Sequence, residues 1–206
     1  MTRDELRVYF DGVAYSGDTR TDVVAVFRQH GFEHTIGHSA RVSAEARRLA
    51  LLCGVDVADA EIAGWLHDIS AVIPNTARIG LARQLGIDVL PEEERLPMIV
   101  HQKLSAVIAS DVFGITDEGV LSAIGCHTTL KANASVLDKV VFVADKIKWD
   151  QAGDPPYLDT MTSALEHGID HAVWCYLQYL WDMRERLPVA HPWFVQAYAE
   201  YALRAW

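Results

Sequence analysis

The chain has 206 residues, half of them hydrophobic, and a formal net charge of −10. That length supports a sizeable core and reads as one domain, while the acidic balance speaks against a nucleic-acid binder, which would carry a basic face. No segment reaches the ~18 uncharged apolar residues of a membrane span, and the opening Met1-Thr2-Arg3-Asp4-Glu5 leads into a mixed, charged stretch with no signal-peptide core.

Residues 20–30 carry a first helical pattern, broken at Gly31. The next pattern runs from about residue 35 to 53 and stops at Gly54, with Val42, Ala46, Leu49, Ala50 and Cys53 on its apolar face and His38 one turn ahead of Val42. A helix from about residue 58 contains Trp65-Leu66-His67-Asp68-Ile69, where a histidine and an aspartate sit among apolar residues. A buried carboxylate is costly unless it is paired or bound to a cation. Neighbouring helical residues point about 100° apart, so such a pair offers two ligands only in a seam between helices. Pro74-Asn75-Thr76 begins a short helix to Gly86, and Pro91 and Pro97 bracket Glu92-Glu93-Glu94, read as a solvated helix start. From residue 98 to 113 a helix carries His101, Leu104, Ser105 and Ile108 on one side. Thr116-Asp117-Glu118 caps a helix through Val120, Leu121 and Ile124 to His127. Ser135 with Asp138 approximates a capping box for a helix through Leu137, Val140, Val141 and Ala144 to Asp145. Pro155-Pro156 then precedes two or three last helices rich in aromatics, among them Trp174, Tyr179, Trp181, Trp193, Tyr198 and Trp206, which read as core or as an interface between copies. No convincing period-2 run or hairpin turn occurs, so the expected fold class is all-α.

His38, His67, Asp68, His101, His127 and Asp145 therefore form a set, each on or beside the apolar face of its own helix. One histidine on such a face is usually a satisfied core residue, and Asp145 alone reads as an ion-pair partner of a neighbouring lysine or arginine. Four histidines and two aspartates together are hard to explain as packing. Imidazole and carboxylate are ligands of zinc, iron, manganese and similar ions. No thiol joins the set, which points away from a structural zinc site. Cys53, Cys126 and Cys175 are odd in number, far apart and in apolar contexts, as expected of thiols in a reduced, cytoplasmic compartment.

The order His38, His67-Asp68, Asp145 resembles the HD superfamily of metal-dependent phosphohydrolases, and His38-Ser39-x-x-Val42 is similar to the start of its first ligand helix. Histidines between the His-Asp pair and the last aspartate resemble its two-metal subset. Residues 101–145 look most like YqeK-type proteins, the symmetrical diadenosine tetraphosphate hydrolases: Cys126-His127-Thr128-Thr129, then Leu137-Asp138-Lys139 and Ala144-Asp145, resemble their His-Thr, Leu-x-Lys and Ala-Asp signature. The likeness spans about residues 34–150; the aromatic part, about residues 157–206, lies outside it. It implies an HD-type helical bundle and two divalent ions, iron foremost, with manganese, zinc, nickel or magnesium as alternatives. By that resemblance His38, His67, Asp68 and Asp145 hold one ion, and Asp68 bridges to a second held by His101 and His127. Asp68 and His67 then stand at the centre of the reaction, in which two cations acidify a shared water and clamp phosphate oxygens. Lys103, Lys131 and Lys146 are candidates for phosphate charge, and His34 for support of His38. The implied partner is a small phosphate compound, a nucleotide; a homodimer is compatible with this reading.

Two departures concern the substrate. YqeK-type proteins usually read His-Asp-Tyr-Ala-Lys, whereas this chain has His67-Asp68-Ile69-Ser70-Ala71; after His-Thr they usually have Gly-Arg-Pro, whereas Thr129 is followed by Leu130-Lys131-Ala132. The expected reaction is symmetrical cleavage of a dinucleoside tetraphosphate, with a mononucleotide or other small phosphate ester as the alternative substrate. Two readings from other classes share the ligand set: an HD-type di-iron oxygenase, told apart by a strict O₂ requirement, and a sensor that binds without turnover.

Overall fold

The computed structural model describes residues 4–151 and 153–204; Met1-Thr2-Arg3 and Trp206 lie outside them. Helix starts follow side-chain caps. Asp18 accepts from Thr21 N at 2.8 Å and opens α2 (Thr19–Gln29). Asp56 accepts from two amides at the start of α4 (Val57–Leu66), and Asp117 does so once for α8 (Glu118–Cys126). The Ser135–Asp138 spacing forms a reciprocal capping box on α9 (Val136–Ile147), with bonds of 3.1 and 2.8 Å. Between them α3 (Glu33–Cys53) ends on Gly54, whose φ of 69° suits a residue without Cβ.

The other helices are α1 (Asp4–Phe10), α5 (Asn75–Gln84), α6 (Pro91–Arg95), α7 (His101–Asp111), α10 (Leu158–Leu165), α11 (Ile169–Asp182) and α12 (Pro192–Ala202), with 3₁₀ turns at Ile69–Val72 and Arg184–Arg186. Among the described residues there is no strand, and the fold is all-α. Among the described residues no helix is long and apolar enough to cross a membrane.

Helix α9 organises the packing. Val140 to Ala144 are all fully buried, so the middle of this helix is apolar on every side, while Asp138, Lys139, Asp145 and Lys146 lie at its two ends. Val141 joins one apolar cluster with Val23, Phe27, Leu66, Leu104 and Ile124. Its neighbours Val140 and Phe142 join another, with Leu49 of α3 and Met161, Leu177, Phe194 and Tyr201 from the last three helices. The last three helices thus contribute to the core, while Trp174, Tyr179, Trp181 and Tyr198 are half-buried against it, Trp181 stacked on Tyr198 at 4.1 Å. Helices α3 and α4 approach closely at Gly64, where an added Cβ would stand 2.5 Å from Ser43 Cα.

Three expectations change. The charged opening stretch includes α1, held by the buried Leu6 and Phe10. Helix α4 stops at Leu66, so His67 and Asp68 follow it instead of lying within it. Residues 91–95 do start a helix, but Glu93 is fully buried, accepting from Leu90 N and Lys103 Nζ and lying 3.4 Å from His191 Nε2.

Candidate metal centre

Five helices and one 3₁₀ turn bring the six residues together. His67 caps α4 and Asp68 leads into the 3₁₀ turn; His127 caps α8, His101 begins α7, and His38 and Asp145 lie on α3 and α9. Because the chain leaves helical geometry after His67, with Asp68 at φ −107° and ψ 15°, adjacent residues can turn toward one space.

The imidazoles are aimed by their other nitrogen. His67 Nδ1 bonds Gly64 O at 2.8 Å, His127 Nδ1 bonds Ile124 O at 2.8 Å, and His101 Nδ1 bonds Met98 O at 2.6 Å, each three residues back. Two of these carbonyls belong to last helical turns, which lack backbone partners. His38 Nδ1 is set by Lys148 O at 3.1 Å. A carbonyl accepts only, so each Nδ1 carries the proton and each Nε2 presents a lone pair to the centre.

Those lone pairs meet one another. His38 Nε2 lies 3.1 Å from His67 Nε2, and His101 Nε2 lies 2.9 Å from His127 Nε2. Asp68 stands between the pairs, Oδ1 at 3.2 Å from His101 and 3.6 Å from His127, Oδ2 at 3.4 Å from His67 and 3.8 Å from His38. Asp145 Oδ1 lies 3.2 Å from His38 and 3.6 Å from His67, and its Oδ2 accepts from Lys146 Nζ at 2.6 Å. Converging imidazole nitrogens and carboxylate oxygens fit a cation. Two groups have ligand atoms close enough to share one: His38, His67 and Asp145, and His67, Asp68 and His127.

Protonation follows the same logic. Burial disfavours the His67 imidazolium, yet Asp68 and Asp145 outweigh it and push its pKa up to about 9. Burial, assisted by His101 and His67, pushes His127 down to about 4, leaving a neutral ligand. Burial would lift both carboxyls, but His67 and the other imidazoles around Asp68, and Lys146 with His38 at Asp145, hold both well below the usual range.

The cluster lines a cleft of about 360 Å³. Of the three candidate lysines only Lys146 reaches it, with Nζ also donating to His127 O at 3.1 Å. Lys103 bonds Glu93 and Asp88 O and lies over the Trp193 ring; Lys131 bonds Ser122 and lies 3.6 Å from Asp138. Both line a different cleft, of about 240 Å³. His34 is exposed. Sequence reasoning missed Arg78, Trp149 and Tyr176 on the cleft wall. It also missed Gln102, whose carboxamide accepts from Thr128 N and Thr129 N and fixes the turn after His127. Only Gln102 carried a signal, as a polar residue beside His101.

Helices alone, converging on paired imidazoles and carboxylates, define a helical hydrolase of the His-Asp class. The chain belongs to the HD domain family, whose model matches residues 35–150. It is 43% identical over 143 residues to an uncharacterized protein in the pepC 5' region of Lactococcus lactis subsp. cremoris, covering 69% of this chain and 72% of that one. A symmetrical bis(5'-nucleosyl)-tetraphosphatase of Halalkalibacterium halodurans is 34% identical over 58% of this chain; the match spans 62% of that relative's length. A crystal structure from Clostridium acetobutylicum, described as a predicted HD superfamily hydrolase involved in NAD metabolism, superposes with a TM-score of 0.81 at 26% identity, over 91% of this chain and 97% of that one.

Proposed function

We propose that this chain is a metal-dependent phosphohydrolase of nucleotides, with a dinucleoside tetraphosphate, cut symmetrically, as its first substrate. The observation that carries the reading is the division of Asp68, Oδ1 turned to His101 and His127 and Oδ2 to His67 and His38. A carboxylate between two imidazole pairs suits two divalent cations, iron foremost, with manganese, zinc, nickel or magnesium as alternatives. Ions so held neutralise phosphate charge and acidify water near neutral pH.

The chain's own groups do the positioning. Asp145 and the His127 carbonyl hold Lys146 Nζ at the cleft, where its third N–H is free for a phosphate oxygen. Trp149 and Tyr176 supply aromatic faces on the same wall, suited to a nucleobase. The name of the Halalkalibacterium relative supports a dinucleotide substrate, and that of the Clostridium structure supports nucleotide metabolism more broadly.

The test is product analysis. Protein purified without chelator and loaded with manganese is incubated with diadenosine tetraphosphate, and ADP is expected as sole product. AMP with ATP would mean asymmetric cleavage. No turnover there, beside rapid phosphate release from a mononucleotide, would overturn the dinucleotide reading and leave the broader one.

A further inference from the structure

Arg78 of α5 has a buried side chain, 9% exposed, on the wall of the cleft that holds Asp68 and His101. Its Nε donates to Ile73 O at 3.0 Å and its Nη1 to Met98 O at 3.4 Å. Those carbonyls belong to two different segments and fix the plane of the guanidinium. They satisfy two of its five N–H groups and none of its charge. Among the described residues no carboxylate lies within ion-pair distance; the one acidic group that acts on it, from farther away, is Asp68. A buried cation without an anion is unfavourable, and a guanidinium held flat with a free edge matches two oxygens of a phosphate.

The make-up of the cleft sharpens this. Among the described residues that line it, the lysine and arginine side chains are those of Arg78 and Lys146. Ala71 and Arg78 line the same cleft. Lys103 and Lys131 lie elsewhere, and the charge of Lys146, though at the cleft, is already offset by Asp145, which leaves Arg78 as the cation there without a carboxylate partner.

We propose that Arg78 forms an oxyanion subsite beside the His/Asp cluster, taking a phosphate group of the substrate on its free guanidinium edge and supplying from α5 a positive charge that no nearby carboxylate offsets. The proposal rests on the reading above that the substrate is a phosphate compound.

Calorimetric titration of inorganic phosphate into protein carrying stoichiometric manganese tests it, with metal content and Tm measured on every variant. Arg78→Ala is expected to weaken phosphate binding about ten- to hundredfold with metal content unchanged. Adding Ala71→Lys to that variant is expected to recover most of the loss, which a purely structural role for Arg78 would not allow. Should Arg78→Ala not fold, Arg78→Gln is titrated instead, since it keeps an amide donor for a carbonyl and loses the charge. Equal phosphate affinity in the unaltered protein and the variant, or no phosphate binding by the unaltered protein, overturns the subsite. Arg78-dependent phosphate binding with no release from any nucleotide would instead overturn the hydrolase reading and leave the subsite standing.

Discussion

His38 Nε2 and His67 Nε2 face each other at 3.1 Å while the Nδ1 of each ring is bonded to a backbone carbonyl. Two lone pairs at that separation repel unless a proton or a metal cation lies between them, so a divalent ion binds here in place of the proton that the raised pKa of His67 holds. A divalent ion that binds only this state stabilises it by about 2.7 kcal/mol at a hundred times its Kd. For a chain of this size that raises Tm on the order of 5–10 °C. Melting curves with and without manganese or zinc, after chelator treatment, measure it; no shift with any divalent ion would refute a metal centre.

Asp68 and His127 should differ in what they cost. Asp68→Ala removes the group shared by both imidazole pairs and is expected to lower the content of both ions. His127→Ala is expected to remove one ion and most activity while the fold survives. Elemental analysis of the two variants decides it. Full activity with a single saturable ion in the unaltered protein would contradict the two-ion arrangement.

Asp145 serves either a cation or Lys146, which it contacts at 2.6 Å. As a ligand, Asp145→Asn should weaken metal binding at least tenfold with little change in Tm of the metal-free protein. As an ion-pair partner, the same change should mainly lower that Tm, because Lys146 is left buried and unpaired. A metal titration and a melt on this variant separate the roles.

Much of this site was legible before any coordinates. His38, His101 and His127 stood out because an imidazole on an apolar face needs a partner, and the capping box at Ser135 announced the helix that carries Asp145. The stop of α4 was hidden, because no Gly or Pro marks it: an apolar run continues through Ile69, and the turn is closed by the His67 ring on Gly64 O. The lysines were misjudged for a similar reason. Lys103 is drawn aside by Glu93, ten residues away, and Lys131 by Ser122 on the preceding helix. Arg78 gave no sign, since its partners are carbonyls, and carbonyls have no sequence signature.

Gly64→Ala should be strongly destabilising for a surface-sized change. The new methyl would meet the Ser43 backbone, Cα at 2.5 Å and N at 2.9 Å, which a rotamer change cannot relieve. Parting α3 from α4 is expected to cost about 1–3 kcal/mol and to displace the carbonyl that orients His67. Thermal melts with metal content read both effects; an unchanged Tm would contradict the close approach.

Glu93 gives the fold an acid-sensitive joint. Its carboxyl is fully buried, and although burial raises its pKa, His191, the Leu90 amide and Lys103 together hold it below the ordinary value. A carboxyl with a depressed folded-state pKa contributes stability that is present above pH 4.5 and lost as pH falls through its lower folded value. The groups facing it are the Lys103 ammonium of α7 and the His191 ring at the start of α12, so Glu93→Gln should cost about 1–3 kcal/mol at neutral pH. That difference from the unaltered protein should shrink as pH drops below 4.5. Denaturant melts at pH 7 and pH 3.5 measure it, and a pH-independent difference would argue against the ion pair.

The HD domain match ends at residue 150, but the buried layer beneath it does not. Val42, Leu49, Val140 and Phe142 pack in one cluster with Met161, Val173, Leu177, Phe194 and Tyr201, and the Tyr157 hydroxyl donates to the carbonyl of Lys146, the residue after Asp145. The HD motif and the aromatic helices after it are therefore not modular parts. A truncation at residue 150 would strip one side of α9 bare, and a graft of residues 35–150 onto another protein would carry the motif without the support that keeps it in register. In this chain the inheritable motif is smaller than the unit that folds.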